Sequence, residues 1–252
     1  MTVPRTIVVG DVHGCLAELE ALLAEVRLGP GDALWFLGDL VDRGPDSAGV
    51  VRRVRALAAS HGAGVVLGNH DEKHVRYRRH LRRRAADPGY RVPMQLDEEA
   101  LAVHASLTDE DVDWLEARPV LARLGGGLVL VHAGLMPGRS LSRPLLPLRL
   151  RYLRRSNGQP MSLQEERAAP AEAVHWSERW RGPGRVVYGH HARPEPAVGP
   201  ASLGIDTGAV YGGRLTAAVL EAPASQAWPP RLVQVAARRA YHPNPLWGGD
   251  EE

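Results

Sequence analysis

Residues 6–14 read Thr6-Ile7-Val8-Val9-Gly10-Asp11-Val12-His13-Gly14, an apolar, β-branched run that ends in a carboxylate, an imidazole and two glycines. The run predicts a short buried strand. Gly10 and Gly14 permit a tight turn and a close backbone approach just beyond it. Asp11 and His13, two residues apart past a strand end, can aim their ligand atoms at one point. A carboxylate with an imidazole suits manganese, iron, zinc or cobalt better than calcium. Alone, the segment reads equally well as an Asp–His hydrogen bond in a loop.

The same design recurs downstream. A strand at Leu34 to Leu37 runs into Gly38-Asp39-Leu40-Val41-Asp42-Arg43-Gly44, and one at Val65 to Leu67 runs into Gly68-Asn69-His70-Asp71. Leu128 to Val131 leads to His132-Ala133-Gly134, and Val186 to Tyr188 leads to Gly189-His190-His191. Asp39 has two oxygens and can bridge two cations. Asp42 is better placed to orient a histidine than to ligate. Arg43 suits phosphate rather than a cation. Asn69 offers a neutral carbonyl oxygen and an amide donor, and His70 is free for proton transfer. A lone histidine after a strand is most often structural, but His132 and His190 complete a half-built ligand set. His191 reads as a neighbour without a role. His61, His74, His80, His104, His175 and His242 match no partner pattern and read as structural or surface residues.

Between these segments, Leu16, Leu19, Leu22, Leu23 and Val26 recur at helical spacing, and Gly29-Pro30-Gly31 stops that helix. A second helix is expected over residues 47–59. Three strand–loop–helix units in a row predict an α/β fold with a parallel start. The regularity breaks over residues 72–124, read as a helical insertion in a single domain spanning 1–242, with 243–252 as a tail. Arg76, Arg78, Arg79, Arg82, Arg83 and Arg84 crowd one helix there, and such a run is usually a solvated face. Thr108 with Asp111 reads as a capping box. Residues 136–170 predict a long loop with short helices. Strands at 186–188, 202–205, 215–220 and 232–235, with Gly212-Gly213 as a turn, suggest a second, mainly antiparallel sheet.

The chain of 252 residues is 44% hydrophobic, enough to build a large core on Val, Leu and Ala, since aromatics are only 5%. A net charge of +2 does not mark a nucleic-acid binder. Lys73 is the only lysine, and Cys15, the only cysteine, leaves no intramolecular disulfide. No apolar run approaches a membrane span, and the first residues lack a signal-peptide pattern. A cytoplasmic protein with no membrane partner is expected.

In this order, GDVHG, GDLVDRG, GNHD, VHAGL and YGHH resemble the motifs of the phosphoprotein-phosphatase branch of the calcineurin-like metallophosphoesterases. Residues 205–216, IDTGAVYGGRLT, are similar to bacterial symmetrical diadenosine tetraphosphate hydrolases. The resemblance covers most of residues 5–221. It implies a two-sheet β-sandwich flanked by helices, with two divalent metal ions at the strand ends, manganese first, with iron, cobalt, zinc or magnesium as alternatives. One ion would take Asp11, His13 and Asp39; the other would take Asp39, Asn69, His132 and His190. Asp42 would orient His70 as proton donor, and Arg43 and Asn69 would bind phosphate. The family supplies a second phosphate-binding arginine before the last histidine, for which Arg179 and Arg181 are the candidates. Its third motif ends in Glu, where this chain has Asp71. The implied activity is hydrolysis of dinucleoside polyphosphates by a metal-activated hydroxide, diadenosine tetraphosphate giving two adenosine diphosphates. The alternatives are a protein serine/threonine phosphatase, with a phosphoprotein as partner, and decapping of nucleoside-polyphosphate-capped RNA. On this reading the arginine run becomes a basic rim near distal phosphates, and Tyr211 a surface on which a nucleobase could stack.

Overall fold

The three leading units form as their patterns dictate. In the computed structural model, which describes residues 5–138, 148–221 and 228–243, β1 (Arg5–Val9), α1 (Leu16–Val26), β2 (Ala33–Phe36), α2 (Ser47–His61) and β3 (Gly64–Val65) follow one another. The strands pair in parallel, Val8 beside Trp35 and Phe36 beside Val65. Asp46 caps α2 by accepting from the Gly49 N–H at 2.7 Å, and Gly62 closes it in the left-handed conformation.

Helices α3 (Asn69–Ala86), α4 (Glu98–Ser106) and α5 (Asp109–Glu116) make up the expected helical segment. Its last stretch is not helical: β4 (Leu121–Leu124) pairs with β5 (Leu128–Val131) across the turn at Gly125–Gly127. Then come β6 (Tyr152–Arg154), β7 (Pro160–Met161), α6 (Leu163–Ala168), β8 (Ala173–His175), β9 (Arg185–Tyr188), β10 (Ala197–Val198), β11 (Ser202–Gly204), β12 (Asp206–Thr207), β13 (Arg214–Glu221) and β14 (Arg231–Ala236). Residues 139–147 of the expected loop, and the expected tail from 244 on, lie outside the described residues.

Three sheets result, in the orders β12-β13-β1-β2-β3 with β14 on β13, β10-β11-β9-β5-β4, and β7-β6-β8. The later strands therefore do not build an antiparallel sheet of their own. β13 runs antiparallel to β1 and extends the first sheet, while β9 pairs in parallel with both β5 and β11 in the second. Leu215–Leu220 is buried on both faces, which demands an interior position. A spacing pattern identifies the turn before such a strand but not its partner.

Side-chain alternation sorts the core into layers. Ile7 and Val9 face α1 and α2, while Val8 turns inward with Ala218 and Leu220 to meet Leu128, Leu130, Val187 and Leu203 of the second sheet. Val129 and Val131 face the other way, towards Leu153, Val174, Trp176 and Trp180 around the small third sheet. Each buried Val or Leu contributes about 1.5–3 kcal/mol, so the alternation fixes both register and layer order. The result is a mixed α/β fold whose sheets are flanked by helices. Among the described residues no helix is long and apolar enough to cross a membrane.

The arginine run on α3 is mostly paired. Arg78 and Arg82 meet Asp109 and Asp113, Arg79 meets Glu116, and Arg76 meets Glu72 one turn earlier. Helix α5 is itself tied to α2. Thr108 and Asp111 form the expected capping box, and the buried Asp111 carboxylate accepts from Arg55. Burial pushes the Asp111 carboxyl up, but the bonds from Thr108 and Arg55 outweigh it and hold it below the ordinary value. A depressed folded-state pKa stabilises above the unfolded pKa and ceases to as pH falls through the folded one. Asp111→Asn should thus cost about 1.5–3 kcal/mol at neutral pH. In urea titrations at several pH values, the gap to wild type should close below about pH 4.

Candidate metal centre and active site

Asp11, His13, Asp39, Asn69, His132 and His190 all lie at one end of the two large sheets, and all but His190 are buried. β1 carries the first pair, β2 carries Asp39, α3 opens on Asn69, and β5 and β9 deliver His132 and His190 from the second sheet. Two sets of ligand atoms lie within 4.8 Å of one another: His13, Asp39 and His70, and Asp39, His132 and His190. Asp39 is common to both. His70 stands in the first set, and Asp11 does not.

The hydrogen bonds fix which ring nitrogen faces the centre. His13 Nδ1 lies 2.8 Å from the Val41 carbonyl, and His132 Nδ1 lies 2.8 Å from that of Leu37. Both carbonyls only accept, so both rings carry N–H at Nδ1 and turn Nε2 inward. His132 Nε2 lies 2.9 Å from Asn69 Oδ1, 3.2 Å from His190 Nδ1 and 3.4 Å from Asp39 Oδ2. Asp11 Oδ2 accepts from the His190 backbone N–H at 2.9 Å, whereas Asp11 Oδ1 is buried with no hydrogen-bond partner.

Electrostatic pressure is concentrated here. Burial, and then the charges of Asp206 and Asp39, push the Asp11 carboxyl well above its ordinary range. Burial lowers the His132 imidazole, but Asp39 outweighs it and raises the ring to about 9. Burial pushes Asp206 up to about 6. Crowded carboxylates, inward imidazole nitrogens and an orphaned carboxylate oxygen form a donor set that fits divalent cations.

Asp71 has another function. Its Oδ1 accepts from Leu40 N–H at 2.9 Å and its Oδ2 from Gly68 N–H at 3.0 Å, stapling the β2 loop to the start of α3. The shorter side chain serves that staple. Beside it, His70 Nδ1 lies 2.6 Å from Asp42 Oδ2, which also meets Lys73 Nζ at 2.6 Å. Burial would raise the Asp42 carboxyl, but bonds from His70 and His74 outweigh it and hold it well below the usual carboxylate range.

Arg43 lies over this centre, with its Nη1 3.0 Å from His13 Nε2 and its guanidinium 5.5 Å from the Tyr211 ring centroid. Arg179 and Arg181 are not brought to it. Arg179 donates to the Arg155 carbonyl at 2.7 Å, and Arg181 to the carbonyls of Glu178 and Trp180. The second guanidinium at the centre is Arg151, whose Nε is buried without a hydrogen-bond partner. Arg151 and Arg43 both line a small recess with Asp39, His190, Asp206 and Tyr211. They also line a cavity of about 570 Å³ that reaches from Asn69, His70 and His190 to an apolar wall of Tyr152, Pro160, Met161 and Leu163. Asp206 could have been found, since it stands in the quoted IDTG stretch. Nothing local marks Arg151 or Tyr152.

A calcineurin-like phosphoesterase family model matches residues 4–218. A symmetrical bis(5'-nucleosyl)-tetraphosphatase from Pectobacterium atrosepticum is 38% identical over 73% of this chain, which spans 62% of that protein's length. One of the same name from Ralstonia nicotianae is 31% identical over 93% of this chain and 95% of its own. A crystal structure described as "a putative diadenosine tetraphosphatase" superposes with a TM-score of 0.73 at 30% identity, covering 94% of this chain and 95% of that one.

The crowding has a measurable consequence. Asp11→Asn should raise the melting temperature of metal-free protein, because one like charge is removed. In wild type, a divalent cation at about 100 times its Kd should add about 2.7 kcal/mol. Differential scanning calorimetry with and without the metal should find that increment sharply reduced in the variant.

Proposed function

The chain belongs to the calcineurin-like phosphoesterases, a family that implies divalent metal ions, and from that premise we propose that it hydrolyses dinucleoside polyphosphates, cutting diadenosine tetraphosphate into two adenosine diphosphates. The two-ended cavity carries this reading: guanidinium groups beside the metal centre at one end, a Tyr152–Met161–Leu163 wall at the other. Inorganic phosphate has no use for the wall, whereas a nucleoside joined to several phosphates uses both ends. The names of the relatives from Pectobacterium and Ralstonia support the same substrate class.

Asp11, His13 and Asp39 would hold one cation, and Asp39, Asn69, His132 and His190 the second. Manganese is the metal we infer. Two such cations supply Lewis acidity and a water of lowered pKa. The chain's own groups do the rest. Arg43 and Arg151 orient the central phosphates and offset the charge that develops on their oxygens. His70, its Nδ1–H held by Asp42, gives the proton at Nε2 to the departing diphosphate oxygen. Tyr152 and Met161 seat one nucleoside and keep water from that side. A nucleotide substrate and a single unpaired cysteine fit a cytoplasmic enzyme.

Product analysis tests the reading: with manganese and diadenosine tetraphosphate, adenosine diphosphate should be the sole nucleotide product. An intact dinucleotide alongside phosphate released from a phosphopeptide would replace the reading with a protein phosphatase. Arg151→Ala should lower kcat/KM by about 10- to 100-fold, the loss of one charge-assisted contact, while Arg179→Ala should leave it near wild type. Tyr152→Ala should raise KM for the dinucleotide about 10-fold, the order of one lost base stack, with little change for p-nitrophenyl phosphate.

A further inference from the structure

A chain of hydrogen bonds runs from the helical segment into the Asp42–His70 pair. Arg78 Nε donates to His104 Nε2 at 3.1 Å. His104 Nδ1 lies 3.2 Å from His74 Nδ1, and His74 Nε2 lies 2.7 Å from Asp42 Oδ1. The other oxygen, Oδ2, meets His70 Nδ1. His74 is fully buried, His104 is 6% exposed and Asp42 4%. The two rings stack, with centroids 5.5 Å apart and planes at 11°, and Tyr77 packs edge-on against His104.

Donor and acceptor chemistry admits one arrangement. A guanidinium nitrogen only donates, so His104 Nε2 is bare and accepts. A neutral His104 then carries its proton on Nδ1 and donates it to His74. His74 Nδ1 must therefore be bare, and its proton sits on Nε2, donated to the carboxylate. Neither ring can be cationic, because each has one nitrogen that accepts. Burial, which pushes His104 down to about 4, agrees with this. Every donor points from Arg78 towards Asp42, and bonds in such a series strengthen one another.

We propose that His74 and His104 are positioning residues, anchored by Arg78, that fix the Asp42 carboxylate so that its Oδ2 holds the Nδ1–H of His70 and leaves Nε2 to carry the proton that is given. The packing of α4 on α3 thereby sets the geometry of the proton donor. The inference rests on the proposed role of His70 and not on the identity of the nucleotide substrate.

Two variants interrupt the chain while keeping the packing: His104→Phe and Arg78→Met. Nitrogen-15 NMR of histidine-labelled protein reads the tautomers without turnover. Wild type should show neutral His74 protonated at Nε2 and neutral His104 at Nδ1, with a downfield proton on His70 Nδ1. That proton should shift or broaden in both variants. The manganese enzyme is then assayed on phenyl phosphate, a poor leaving group that needs a proton, and on 2,4-dinitrophenyl phosphate, which needs none. Turnover of the first should fall about 10-fold or more with KM unchanged, and turnover of the second should stay within about twofold. Equal losses on both esters, or an unmoved His70 proton, would overturn the proposal and leave the two histidines as packing residues. His70→Ala is the control. If it too treats both esters alike, the role assigned to His70 fails instead. If neither ester is turned over, the NMR result decides.

Discussion

Burying several carboxylates at one point is the constraint on which the rest of the molecule depends. Asp11, Asp39 and Asp206 are each more than nine-tenths buried, and burial together with the Asp39 charge raises the proton affinity of Asp11 and Asp206, whereas the charges of His132 and His70 outweigh burial at Asp39 and hold it well below the ordinary value. Like charges in a poorly solvated site oppose folding, so their placement has to be enforced by something larger. The enforcing element is the sandwich. Asp11 and Asp39 leave the first sheet, His132 and His190 leave the second, and the centre exists only where the two sheets end together. The polar contacts across that gap, His132 to the Leu37 carbonyl and the His190 N–H to Asp11, stitch the sheets at the same place.

The backbone is bent to the same purpose. Among the described residues six that are not glycine have positive φ, and five of them are His13, Asp39, Asp42, Arg43 and His190; the sixth, Arg27, closes α1. Each such residue costs about 1–2 kcal/mol, and Asp and His tolerate the region better than most. Gly189 shows how little room remains. A Cβ there would sit 1.9 Å from Asp11 Oδ1, so only glycine lets the β9 end approach the carboxylate that receives the next N–H.

Much of this was legible. The strand-then-ligand segments predicted β1, β2, β5 and β9 closely, and Thr108 with Asp111 predicted the start of α5, because capping and apolar runs are local physics. Strand partners were not legible, since pairing depends on which faces are buried, and β13 joined the first sheet for that reason. The contact between the two interior histidines was not legible for a related reason. His74 and His104 look like scattered helix residues until α3 and α4 pack. Lys73, the chain's one lysine, meets Asp42 only because α3 folds over the β2 loop, a contact between residues 31 positions apart.

The second arginine is the most instructive miss. Expectation placed it at Arg179 or Arg181, just ahead of His190 in sequence, whereas Arg151 reaches the centre from just ahead of β6, the central strand of a three-stranded sheet whose β7 is two residues long. Strands so short have no periodicity to read. That sheet also supplies Tyr152, Pro160 and Met161, so one element brings both a guanidinium and an apolar wall to the cavity. The candidate metal ligands, by contrast, come from loop ends on the two large sheets. The candidate ligands and the apolar wall thus come from separate parts of the fold, and the wall can change without disturbing the ligands. A motif string therefore announces the bond that is broken far more clearly than the molecule that carries it.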